Sequence, residues 1–246
     1  FYILLRKNKM VTIRVKKFRP NLKIIGEIYN VGLPVICMQA LGSFTNFCLN
    51  KILLGLSESA ISVLGIYYKL QSFVYMPVFG LSAGQLSILS YNFGARNKAR
   101  MMTTLKYSMI YMIVIMALGT AAFHLIPDKL LMLFNADQEL LSVGISALPK
   151  ISLCFTFAAI GIALSNVYQS VGRGPLSLVV SISRQVGLVL PSAYLLAKFI
   201  GLDAVWYCFP IAEVFSSALY VAFMIYVYKK DLKPLDNIKP EQISAA

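Results

Sequence analysis

The sequence predicts an all-α integral membrane protein, a six-transmembrane-helix bundle, and three observations predict it. Hydrophobic residues make up 58% of the chain and charged residues 13%, against roughly a quarter charged in soluble domains. Six apolar runs are long enough to cross a bilayer core of about 30 Å, which takes roughly 20 helical residues. The net charge of +13 is gathered between those runs, so it marks membrane topology and not a nucleic-acid surface on a soluble fold.

The runs fall at residues 28–50, 60–91, 105–126, 140–170, 176–199 and 204–228. They give a membrane lobe at 28–229, flanked by a segment 1–27 and a cytoplasmic tail 230–246. The opening FYILL reads as the end of a preceding helix and the rest of 1–27 as a basic cytoplasmic linker. Apolar residues before basic ones are the reverse of a signal peptide. A start at Phe1 inside an apolar stretch suggests a piece of a longer chain.

Orientation follows from the basic residues. Seventeen fall on one side: Arg6, Lys7, Lys9, Arg14, Lys16, Lys17, Arg19 and Lys23, then Arg96, Lys98, Arg100 and Lys106, then Arg173, then Lys229, Lys230, Lys233 and Lys239. The other side has three, Lys51, Lys129 and Lys198. The positive-inside rule makes the richer side cytoplasmic and puts both ends of the chain there, as six crossings require.

Within the spans, polar residues are patterned. The first carries Gln39, Ser43, Asn46 and Asn50 at i, i+4, i+7 and i+11, which is one helix face. The second carries Gln71, Tyr75, Ser82 and Gln85, and the fourth Ser152, Thr156, Asn166 and Ser170. Lipid has no use for such stripes. They line a shared polar lumen, or they join helices by interhelical hydrogen bonds worth about 0.6 kcal/mol each on average. The second and fourth spans also share a register: Lys69, Gly80 and Gln85 have the spacing of Lys150, Gly161 and Asn166. Transporters are often built from repeats that place equivalent groups around one pathway. Helix breakers recur at Gly32 and Pro34, at Pro77, Gly80 and Gly84, at Pro191 and at Pro210, as static kinks or as hinges.

Enzyme chemistry finds no foothold. Cys37, Cys48, Cys154 and Cys208 lie within spans without paired spacing, and His124 is the one histidine, so no metal site is expected. The segment Gly172 to Pro175, GRGP, follows a membrane helix, and Pro175 opens the next one, so it is no phosphate loop.

Two intramembrane charges need an account. Arg184 lies nine residues beyond Pro175, about 13 Å along a helix. It either snorkels to the inner headgroups or faces the lobe interior beside Ser177 and Ser181 and closes an inner gate. Both readings put it in the inner half of the membrane, away from the cavity, with Gln185 turned about 100° toward another neighbour. Glu213 lies about 14–15 Å inside the outer surface, the same depth as Lys150 and Lys69. An unpaired charge there costs about 2.5–3.5 kcal/mol, so Glu213 is expected to pair with Lys150 or Lys69, unless those lysines project into water or Glu213 is a cation-coupling site.

Four segments then carry a resemblance. GLSAGQLSILSYNFGARN (80–97), YQSVGRGPLS (168–177), SRQVGLVLP (183–191) and GLDAVWYCFPIAEVFS (201–216) resemble, in that order, the second half of a multidrug and toxic compound extrusion (MATE) transporter. The likeness spans about residues 24–230 and looks closest to the bacterial branch with a YN-x-GA turn and an RQ-x-x-x-x-x-P helix. It implies twelve helices in two lobes, with this chain as one lobe of a twelve-helix transporter and the N-terminal lobe as its partner. It further implies export of small-molecule drugs or organic cations across the bacterial inner membrane by alternating access. No cofactor is implied beyond a coupling ion, H+ or Na+. The lumen would then be the substrate cavity, with Gln39, Ser43, Asn46, Asn50, Gln71, Tyr75, Gln85 and Asn166 as its candidates.

Some relatives carry coupling acids in the helices corresponding to the first and fourth spans. Here only Glu27 stands at the entrance to the first, and the fourth has none beyond Glu139, so a sodium site wholly within this lobe is not expected. A lipid-linked oligosaccharide flippase of the same superfamily is the alternative. Its phosphate headgroup would call for a strongly cationic lumen, for which only Lys69, Lys150 and Arg184 are available.

Overall fold

The computed structural model describes residues 21–237, apart from the side chains of Glu27, Ile28, Asn30, Val31, Pro34, Val35, Asp236 and Asn237. FYILL, the basic residues from Arg6 to Arg19, and Lys239 lie outside the described residues.

All regular structure among the described residues is helical. Helix α1 runs Leu22–Leu54, with the Asn21 side chain accepting from the Lys23 N–H at its start. Helix α2 runs Glu58–Gly94 and passes through Pro77 unbroken. Helix α3 runs Lys98–Leu125, capped by Asn97, whose side-chain Oδ1 accepts from the Arg100 N–H. A short helix α4, Pro127–Met132, opens on its proline. Helices α5, Gln138–Ser152, and α6, Phe155–Ser170, follow. Helices α7, Gly174–Ile182, and α8, Leu190–Phe199, are joined by a π-helical stretch Ser183–Val189. Helix α9, Leu202–Val205, leads into α10, Cys208–Val227.

Four stretches are long and apolar enough to cross a membrane: Glu58–Gly94, Lys98–Leu125, Gly174–Phe199 and Leu202–Leu235. The pair α5 and α6 makes a fifth span, bent by 42°. Helix α1, 33 residues long, reaches about 50 Å and has the length for the sixth.

Two breaks depart from the expected continuous spans. The fourth span bends because Pro149 gives the Ile145 carbonyl no N–H, and the Ser152 hydroxyl donates to the Pro149 carbonyl at 2.9 Å just before the break. The sixth is interrupted at Trp206 and Tyr207, which puts Pro210 in the first turn of α10, where a missing N–H costs nothing.

The spans close on one another through small residues, as membrane helices do. A methyl group added at Gly119 in α3 would lie 2.4 Å from Val74 Cγ1 of α2, and one at Gly161 in α6 would lie 2.9 Å from the Tyr220 ring of α10. The Tyr168 hydroxyl donates to the Tyr220 carbonyl across that second crossing. Tyr67, Phe123 and Phe155 fill the space between α2, α3 and α6, with Phe123 and Phe155 edge to face at 5.3 Å. Gly119→Ala is expected to destabilise the bundle by about 1–2 kcal/mol, the lower part of the range for overpacking, because Val74 is only half-buried and has room to turn. Val74→Ala added to it should recover most of that loss in detergent-micelle unfolding, and equal stability of both variants would disprove the contact.

Candidate functional site

A cavity of about 600 Å³ opens among α1, α2, α10, the α5–α6 bend and the span formed by α7 and α8. That volume suits a small-molecule ligand. Helix α1 contributes Gln39, Gly42, Ser43, Thr45 and Asn46, and α2 contributes Tyr68, Gln71, Ser72, Tyr75, Met76 and Phe79 at i, i+3, i+4, i+7, i+8 and i+11. Cys154 enters at the α5–α6 bend, and Phe209, Ala212 and Glu213 enter from one face of α10. The wall therefore mixes aromatic rings with amides and hydroxyls.

Arg184 and Gln185 complete it, which corrects their expected placement away from the cavity, although they do engage different neighbours, Arg184 on α10 and Gln185 on α1. The stretch is π-helical: the Leu190 N–H reaches back five residues to the Gln185 carbonyl, so successive side chains there are separated by less than 100°. Pro191 lies just beyond, and its missing N–H leaves the Gly187 carbonyl without the ordinary α-helical partner. Gln185 is held in turn by α1. Thr45 Oγ1 donates to its Oε1 at 3.2 Å, and Gly42 stands beside the same oxygen, where a Cβ would make an ordinary contact at 3.8 Å.

Glu213 pairs with Arg184, not with Lys150 or Lys69. Arg184 Nη1 donates to Glu213 Oε1, and Ser216 Oγ donates to Oε2 at 3.1 Å. Lys150 is engaged elsewhere, because α5 breaks just after it and directs it to the exposed Asp203 of α9, with which it pairs while donating to Ser146 Oγ at 2.8 Å. The Lys69 ammonium stands 5.7 Å from the Phe134 ring centre.

The polar stripes divide by depth. Gln39, Ser43, Asn46, Gln71 and Tyr75 line the cavity. Asn50, one turn further out, donates to Asn46 Oδ1 at 3.3 Å. Gln85 and Asn166 lie outside the cavity, buried against each other, with Asn166 Nδ2 donating to Gln85 Oε1 at 2.7 Å. The stripe on α2 thus faces space along Tyr68 to Phe79 and faces α6 below it. Thr45, Tyr68, Ser72, Met76, Phe79 and Phe209 were not among the sequence candidates, although the helical spacing of those on α2 with Gln71 and Tyr75 could have found them.

The fold of this bundle is shared with known proteins. The sequence matches the family MatE over residues 34–195. The chain belongs to the MatE family. The first three of the four recognised motifs lie inside the matched segment, and the fourth lies beyond it. The chain is 28% identical over 229 residues to the multidrug export protein MepA of Staphylococcus aureus (strain NCTC 8325 / PS 47), an alignment covering 93% of this chain and 50% of MepA. Among solved structures, an outward-facing multidrug resistance MATE family transporter of the MOP superfamily superposes with a TM-score of 0.85 at 23% identity, covering 93% of this chain and 52% of that one. A MOP superfamily transporter from Pyrococcus furiosus Vc1 (DSM3638) gives 0.84 at 23% identity, covering 93% and 53%. The chain spans about half the length of these relatives, so the MatE bundle described here is one six-helix lobe. It is a multi-pass membrane protein of a transporter family, not an enzyme.

Proposed function

We propose that the lobe serves multidrug efflux across the bacterial inner membrane, by alternating access against an N-terminal lobe and driven by proton or sodium antiport. The observation that carries this reading is the cavity, whose rings and amides suit varied flat amphiphiles better than one fixed ligand. The MepA relatives, named for multidrug export, support it. Glu213 holds Arg184 and accepts from Ser216, which supports a structural role for it over a coupling one. The flippase alternative loses two of its three cations, because Lys69 and Lys150 lie outside the cavity wall.

The test uses the transporter that carries this lobe. Cysteines placed at Gln39, Ser43 and Asn46 should react with a membrane-impermeant thiol reagent and be protected by bound drug. Cysteines at Leu41 and Phe44, which lie outside the cavity wall, should do neither. Equal labelling of both sets, or labelling indifferent to drug, rules out the cavity as the drug site.

Orientation is proposed on charge alone, with both ends cytoplasmic. Reporter fusions at Asn97 and Lys233 should read cytoplasmic, and fusions at Ser57 and Gly201 external. Any two reversed would overturn the six-crossing topology.

A further inference from the structure

At the end of the bundle where α2 turns into α3, positive charge from two segments meets on one surface. Helix α10 runs on there through a π-helical stretch Tyr228–Leu232 into a 3-10 helix Lys233–Asn237, with Leu232 buried in the core. The Lys98 ammonium at the start of α3 stands 4.5 Å from the centre of the Tyr228 ring, so the α2–α3 loop adjoins this extension. Arg96 and Arg100 flank Lys98, Lys229 and Lys233 belong to the extension, and all four are exposed. Among the described residues none of the four forms an ion pair. Asp231 is the one acid with a described side chain at this end, and Arg173 takes both its oxygens, with Nε donating at 2.6 Å and Nη2 at 2.9 Å. The four cations therefore keep their charge for the surroundings.

Folding does not account for this grouping. Lys98 and Arg100 stand in the first turn of α3, which holds no acid, and cations at the positive end of a helix dipole cost stability. Membrane topology asks for positive charge on one side of the bilayer, and not for its convergence on one surface. The rings of Tyr91, Tyr107 and Tyr226 are exposed at the same end, and tyrosines gather where a bilayer meets its headgroups. We propose that Arg96, Arg100, Lys229 and Lys233 form a seat for the headgroup of an anionic phospholipid. The guanidinium groups match its phosphate with paired hydrogen bonds, and the ammonium groups add point charges. A choline headgroup carries its own cation and cancels much of that attraction. The seat stands apart from the efflux reading and needs only that this end of the bundle meets a leaflet surface.

The experiment takes the purified transporter that carries this lobe, in neutral detergent, and adds spin-labelled phosphatidylglycerol or spin-labelled phosphatidylcholine of the same chain length. The immobilised fraction of label reports binding. Phosphatidylglycerol should be preferred about fivefold, the worth of one basic side chain beside an anionic headgroup. The variant Arg96→Gln, Arg100→Gln, Lys229→Gln and Lys233→Gln should bring the two lipids to parity, and either pair of substitutions alone should lose part of the preference. Lys51→Gln with Lys129→Gln and Lys198→Gln, at the opposite end of the bundle, should leave it unchanged. A preference untouched by the four substitutions, or lost equally in the opposite-end variant, overturns the seat. Displacement of the lipid by inorganic phosphate overturns the lipid in favour of a free anion. If the fourfold variant fails to fold, the two pair variants decide, and full preference in both of them overturns the shared surface.

Discussion

Arg184→Met is expected to be the most damaging single substitution in the cavity wall, costing about 3–5 kcal/mol, the range for breaking a buried pair by removing one partner. The asymmetry of exposure sets the direction. Without Arg184, Glu213 is left 9% exposed, with Ser216 as its remaining donor. Glu213→Leu should cost less, because the Arg184 side chain, 34% exposed, can turn further toward the cavity. Combining the two should restore most of the loss, since replacing a buried pair by apolar side chains is often neutral. Lys150→Met and Lys69→Met should restore nothing to Arg184→Met, because neither lysine touches Glu213. The measurement is unfolding of the purified variants in mixed detergent micelles, monitored by Trp206. A double variant no more stable than Arg184→Met would show that the pair is not what holds these helices.

The fold was legible because one physical requirement dominates it: backbone in lipid must be helical, and helices that cross must be apolar for about 20 residues. Counting along those helices failed wherever the count was not uniform. Arg184 and Gln185 were placed away from the cavity, and the π-helical stretch Ser183–Val189 brings both to its wall, Arg184 toward α10 and Gln185 toward α1. Lys150 was given the depth of Glu213 as though the fourth span were straight, and the break after Ser152 leaves it at the surface with Asp203. Polar residues on α1 and α2 were visible as a stripe. Which part of a stripe meets space and which meets a neighbour depends on where helices diverge, and α2 carries both cases between Gln71 and Gln85.

The lower case supplies the second large effect, at Asn166. Helices α2 and α6 pack against each other, and the shared register of Gln85 and Asn166 puts the two amides side by side. The same register does not unite Lys69 with Lys150, because the bend intervenes upstream of Asn166. Asn166 Nδ2 serves Gln85 Oε1 at 2.7 Å, Ser82 Oγ at 2.8 Å and the Ser82 carbonyl at 3.2 Å, while Gln85 Nε2 returns a bond to the Ala163 carbonyl at 3.4 Å. Gln85 and Asn166 are 2% and 5% exposed, so water cannot replace a lost partner. Asn166→Leu leaves the Gln85 carbonyl oxygen without a donor and should cost about 1–3 kcal/mol for that group alone, with the orphaned Ser82 raising it further. Adding Gln85→Leu removes the stranded amide and should recover much of the loss, because removing both partners is far cheaper than removing one. A double-mutant cycle should therefore give a coupling well above the average of about 0.6 kcal/mol for interhelical bonds in membranes. Strictly additive losses would mean that the two amides only happen to adjoin, and that α2 and α6 are held together by their apolar contacts.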